Sequence, residues 1–425
     1  MDVEKEIKLF TSNDLKEDSS KIADEWAKLE DELLAFQQEK LAQGNSGDID
    51  AWLDNQIRLN SKAIKRVVEI VNKHKIAINA STQQALENAA IMGFNVVSEE
   101  GKSREIVKSN SSKYEAIAKK LNEKSYKLII DKHIQATKQL PTKISLTAKA
   151  SIGSDSGFWS VEKEMEQIYR VMTRTLNREL SSMIGVNYTH NPSGPNDKRW
   201  TRTVSFRTYI EMKIRTDLNN LAINTMNEAA DQLGIVLYLC SSYGDCAPDH
   251  ANYQGRVYIK KNWKSFVPKD LQPKYEDYIK NNSVLYFEDV TQNKPWLCTR
   301  PNCRHSMTPI TFEQALNVSK TLSELNKKAN GPYSPEKYKA MQQQRALERR
   351  IRDFKLQKQG LEKQLSSCTD RNVKANLEQD LKTINGQIRE LQANIRNLIS
   401  SNDNLRRQYD RENPNRTAYN LRLKK

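Results

Sequence analysis

The chain has 425 residues, of which 37% are hydrophobic and 28% charged, with a formal net charge of +15. Its mean hydropathy of -0.78 is low for one large core and points to long helices with narrow apolar stripes. No run of about 18 apolar residues is present, which excludes a helical membrane span. The start MDVEKEIKLF lacks the apolar core of a secretory signal, so an intracellularly made protein with reduced thiols is expected.

The charge is unevenly spread. Residues 1–60 carry 7 basic and 15 acidic side chains, a net of -8, whereas residues 331–425 carry 21 and 11, a net of +10. An acidic head on a basic body suggests two different partner surfaces. The basic part favours a polyanion, with double-stranded DNA bound non-specifically as the expected one. The plainer reading is that lysine-rich helices keep the protein in solution.

In chain order, Ile22, Trp26, Leu29, Leu33 and Phe36 recur at steps of three and four, predicting an amphipathic helix that ends near Gly44. A second helix carries Leu53, Ile57, Ile64, Val68 and Ile70, with His74 read as a solvated helix end. Residues 81–148 read as one or two more helices with a joint at GFNVVSEEGKS, and His133 as a surface or half-buried residue. The small, polar stretch at residues 149–160 reads as a linker. It divides an N-terminal helical region (1–148) from a central unit (161–330), which a basic C-terminal helical region (331–425) follows.

The central unit opens with a helix predicted over Val161–Ile184, then breaks at THNPSGPNDKRW. A strong helix follows from Phe206 to Leu233, stopped by Gly234. IVLYLC, RVYIKK and SVLYFEDV read as strands, making this a small α+β unit in a mainly α protein. Near the end, Leu377, Leu381, Ile384, Ile388, Leu391, Ile395 and Leu398 alternate steps of four and three. Leu347, Ile351, Phe354, Leu361 and Leu365 form a second seam, with SSCTDRN and its Cys368 between the two. Two such helices predict an antiparallel hairpin; the rival is a coiled coil with another copy, a homo-oligomer.

The stretch from Cys240 to His305 holds four of the five cysteines and two of the five histidines. Cys246, His250, Cys303 and His305 form two short Cys/His pairs, which suit a tetrahedral zinc ion if two loops bring them together. Cys240 and Cys298 are substitutes for either member. The spacing matches no standard zinc finger, so a metal-free packed cluster and a late disulfide stay open. A unit of short strands and polar loops also has little apolar surface of its own, which favours some cross-link.

Catalytic signatures are lacking. The H-x-E with P-C-x-x-C of zinc deaminases is absent, as are H-E-x-x-H, G-x-S-x-G and a phosphate-cradling glycine loop. A cysteine nucleophile needs a nearby base, and Cys246 with His250 is the candidate pair. An HNH-like metal-dependent nuclease is the best enzyme alternative, because His250, Asn302 and His305 lie near cysteines on a basic protein. Another zinc-containing nucleic-acid-binding protein is the related one.

Three ordered motifs carry a family resemblance. They are His250, Ala251, Gln254, Gly255, Arg256, Val257 and Tyr258; then Asn302, Cys303, Arg304 and His305; then Gln344, Arg345, Leu347, Glu348, Arg349, Ile351 and Arg352. With YIEMKIRTD at 209–217 and NLRRQYDRE at 404–412, the chain resembles the tailed-phage minor capsid protein 2 family over about residues 160–412. Tyr253 departs from the family's usual Trp, and Ala247 from an Arg before Pro-x-His. The lead-in NKPWLCTRP replaces a glycine-rich one.

The resemblance implies a structural virion protein rather than an enzyme. It would be made in the host cytoplasm and held in the phage head in few copies, with portal and capsid proteins and packaged DNA as its partners.

Overall fold

The computed structural model describes residues 15–42, 49–95, 100–153, 186–190, 200–204, 206–293, 295–299, 303, 305–317, 333–367, 371–403 and 405–413. The helix predicted over 161–184 and Cys368 lie outside them. The protein is mainly α, with one small mixed sheet. No described helix is long and apolar enough to cross a membrane.

Helices α1 (Lys16–Ala42), α2 (Ile49–Asn95), α3 (Glu100–Ser109) and α4 (Ser111–Gly153) form the N-terminal half, and the expected joint falls between Asn95 and Glu100. α2 is 47 residues, about 70 Å at 1.5 Å per residue. The stripe on α1 does what its spacing requires, since Ile22, Trp26, Leu29 and Leu33 are all buried. The Trp26 ring packs at 4.9 Å on Tyr126 of α4 and edge-on at 5.7 Å to Phe206.

Phe206 opens α5 (Phe206–Gln232), which lies along both α1 and α2 and buries Ile210, Leu218, Ala222 and Met226. A β-hairpin, β1 (Val186–His190) with β2 (Trp200–Val204), leads into it. The break expected at 189–200 falls between these two paired strands, and its residues 191–199 lie outside the described ones. Two features fix α5 in place. Arg207 reaches back to α1, with Nε 3.0 Å from Glu30 Oε2 and Nη2 3.0 Å from Asp31 Oδ1. Gly93 of α2 sits so close that a Cβ there would be 2.5 Å from the Ala222 carbonyl oxygen.

Gly234 adopts φ +66° and ends this helix as expected. The sheet follows, in the order β5-β4-β3-β6: β3 (Leu237–Cys240), β4 (Val257–Ile259), β5 (Leu285–Tyr286) and β6 (Met307–Ile310). β3 pairs antiparallel with β4 and β6, while β4 and β5 run parallel. β3 is buried on both faces. Tyr238 and Cys240 join the helical core, and Leu237 and Leu239 join a second cluster with Ile259, Trp263 and Ile310. That explains its unbroken apolar sequence. It also means that the sheet draws its core partly from the helical half, so it is less short of apolar surface than its own sequence implies.

Three sequence expectations change. SVLYFEDV forms a strand only at Leu285–Tyr286 and then a helical turn, α7 (Phe287–Thr291), after α6 (Gln272–Asn281). His74 lies inside α2 rather than at a helix end, with Nε2 2.8 Å from Glu32 Oε2. His133 is fully buried on α4. β6 was not foreseen; its Pro309 is tolerated because β6 is an edge strand with one hydrogen-bonded neighbour.

After α8 (Phe312–Leu316), helices α9 (Pro335–Ser367) and α10 (Arg371–Ser400) pack together. Ile351 meets Ile388, Leu391 and Ile395, while Met341 near the start of α9 lies with Leu398 and Ile399 near the end of α10. The helices are therefore antiparallel, the predicted hairpin. It docks on α5 through Arg352, whose Nη2 donates to Thr208 Oγ1 at 3.2 Å and whose Nη1 is 3.7 Å from Glu211 Oε2.

Candidate metal centre

The loop after β3 and the segment before β6 lie side by side because β3 is hydrogen-bonded to both β4 and β6. Ser241 and Ser306 lock them together: the Ser241 N–H donates to the Ser306 carbonyl, and the Ser306 N–H to Ser241 Oγ, both at 2.9 Å. On this platform His250, in a short 3-10 turn of residues 248–250, meets Cys303 and His305 from the other segment. Both histidines are buried and Cys303 is half-buried.

The three inner atoms form a compact triangle. Nδ1 of His250 and Nδ1 of His305 are 3.4 Å apart, and Cys303 Sγ lies 3.7 Å from the first and 3.4 Å from the second. The outer nitrogens are also held. His250 Nε2 donates to the Pro295 carbonyl at 3.1 Å, and His305 Nε2 donates to Gln254 Oε1 at 3.0 Å. That amide oxygen is identified because it also accepts the Tyr243 backbone N–H at 2.8 Å. Neither acceptor has a proton to give, so both protons sit on Nε2. The two Nδ1 lone pairs are thereby turned towards one point beside the thiol.

Outer hydrogen bonds of this kind orient and fix the tautomer of ligating histidines. A tetrahedral zinc with bonds of about 2.0–2.3 Å separates its ligand atoms by roughly 3.3–3.7 Å, which matches the triangle.

Of the four sequence candidates, His250, Cys303 and His305 come together. Cys246 does not enter the group whose ligand atoms all lie within 4.8 Å of one another; it is buried in the same loop. Cys240 and Cys298 are buried free thiols packed against each other. Burial pushes the Cys298 thiol well above its ordinary range, and Cys240 beside it adds to the shift. Asn302 and Arg304 lie outside the described residues. Gln254, Pro295 and Tyr243 carry the outer contacts. Gln254 stands in the quoted motif without a role there; here its Oε1 accepts from both Tyr243 N–H and His305 Nε2, and Gly255 after it adopts φ +66°.

The family model for "Phage minor capsid protein 2" matches residues 10–400. The chain belongs to this family of phage structural proteins, and its resemblance to that family holds over nearly the whole chain. It is also similar to a "Structural protein" of Lactococcus phage LL-H, with 27% identity over 214 residues, 50% of this chain and 48% of that protein. The match thus spans about half the length of that relative. No solved structure matches the chain.

Proposed function

We propose that this chain is a minor head protein that assembles with the portal and capsid of a tailed phage and lies against its packaged DNA, in a structural rather than an enzymatic role. The observation that carries the DNA contact is a basic line on α10. Lys382, Arg389 and Arg396 are all exposed, at steps of seven residues, on the side away from the apolar seam of Ile388, Leu391 and Ile395. Each step advances about 10 Å along the helix. Arg371 and Lys374 extend the basic surface towards the turn. Phosphates meeting such a line would be bound through charge, without reading bases.

The nuclease alternative has less support, because an HNH-like site needs a ββα unit. His250 and His305 instead stand on two loops at one end of a sheet, each with Nε2 engaged by the protein. Portal contact is supported by family membership alone.

The test is titration of the full chain with random-sequence duplex DNA at rising salt. Affinity falls linearly in log–log form, and replacing Lys382, Arg389 and Arg396 together with Gln lowers the slope by about three. Salt-independent binding, a strong preference for one sequence, or an unchanged slope in the variant contradicts the proposal.

A further inference from the structure

We propose that His250, Cys303 and His305 bind one zinc ion through Nδ1, Sγ and Nδ1, and that this ion clips the loop after β3 to the lead-in of β6. Two independent observations converge on it. The first is the triangle of donor atoms, with sides of 3.4, 3.4 and 3.7 Å, at the spacing of three corners of a tetrahedral zinc site. The second is that both imidazoles have their other nitrogen tied to an acceptor, by Pro295 O and Gln254 Oε1, so both present lone pairs inward. Facing lone pairs repel one another unless a proton or a cation lies between them. Two imidazoles and a thiolate are a borderline-soft donor set, which suits zinc and disfavours magnesium or calcium.

The set has three protein donors, so the fourth corner belongs to water or to a donor from outside the cluster. Cys303 is the half-buried member of the three, and both histidines are buried. The location also gives the ion work to do. The segment that supplies Pro295 includes Trp296 at φ +54° and Cys298 at φ +69°, left-handed positions that cost non-glycine residues free energy. An ion tying His250 to the far end of this segment holds that backbone in place. It acts on the end of the sheet that faces the start of α9, where the Ser334 N–H donates to the Gly244 carbonyl at 3.2 Å.

The experiment is metal analysis of the full chain, purified without a polyhistidine tag and without chelator, alongside Cys303→Ser, His250→Ala and Cys246→Ser. The expected result is one zinc per chain in the wild type and in Cys246→Ser, with loss in the other two. Cobalt substitution of the wild-type chain covers the case in which the site variants fail to fold. The expected spectrum has tetrahedral visible bands and charge transfer from a single thiolate. Folded wild-type protein that holds no zinc and takes up no cobalt overturns the proposal. Zinc retained by folded Cys303→Ser overturns it too, and a two-thiolate spectrum that depends on Cys246 overturns the ligand set.

Discussion

His133 carries a buried imidazole on α4, and neither ring nitrogen has a hydrogen-bond partner among the described residues. Burial alone pulls its pKa down to about 3, from an ordinary value near 6.5. The folded protein therefore keeps it neutral at pH values where the unfolded chain protonates it. Stability is unaffected above the unfolded value and is lost as pH falls from about 6.5 towards 3. At pH 5 the penalty from this one side chain is about 2 kcal/mol. His133→Leu removes it: urea midpoints of the variant change less between pH 7 and pH 5 than those of the wild type. An equal pH dependence in both proteins contradicts this.

The burial was legible in the spacing. His133 stands three, seven and eleven residues before Ala136, Leu140 and Ile144, the buried stripe of α4. Residue type alone points a histidine to the surface, whereas its place on the apolar stripe puts it inside. At the candidate site the residue types were informative, and the geometry was not. Two Cys/His pairs are visible, but only the strand order brings Cys303 and His305 to His250, and the pairing in sequence does not show that Cys246 stays outside the group.

Among elements, those with strong helical periodicity were read most directly. The seams on α9 and α10 specify a hairpin, because each apolar row has the other to cover it. α5 was equally clear as a helix, yet its partners were not, since nothing local says that it packs along α1 and α2. The short strands were the weakest. Leu285–Tyr286 has only two residues of pairing before Phe287 starts a helical turn, and Pro309 hides β6.

Two glycines report on these packings with opposite signs. At Gly93 an added methyl group meets the backbone of α5 at 2.5 Å, so Gly93→Ala should destabilise by about 1–3 kcal/mol through overpacking. At Gly386, inside α10, the same methyl group meets nothing within 4 Å. Gly386→Ala should stabilise by about 0.5–1 kcal/mol, through the lower conformational freedom of the unfolded chain. Denaturant unfolding measures both. Equal effects at the two sites would contradict the close contact of α2 with α5.

In the whole molecule, the motifs that carried the family resemblance meet one another. Glu211 of YIEMKIRTD faces Arg352 of the α9 motif, at 3.7 Å. Gln344 of that motif donates to the Arg406 carbonyl in the tail at 2.7 Å, and Glu348 lies 3.9 Å from Arg411. Arg407 binds Glu412 within the tail, which meets α9 through Gln344 and α10 through Gln392. Residues far apart in sequence thus form the joint that seats the hairpin on the helical half, and only the folded chain displays it. The acidic first helix is not a free arm, because its apolar stripe and Glu30 are buried against α5. Deleting the N-terminal half would remove the core of the protein, so partner contacts there are better tested with a single exposed residue such as Glu39.

A place in the virion beside the portal is tested most directly by the protein composition of purified phage heads, quantified by mass spectrometry with and without the portal. This chain is expected in few copies per complete head and is expected to be lost from portal-less heads that keep their major shell protein. Its absence from complete, DNA-filled heads would contradict a virion role, and undiminished amounts in portal-less heads would contradict association with the portal.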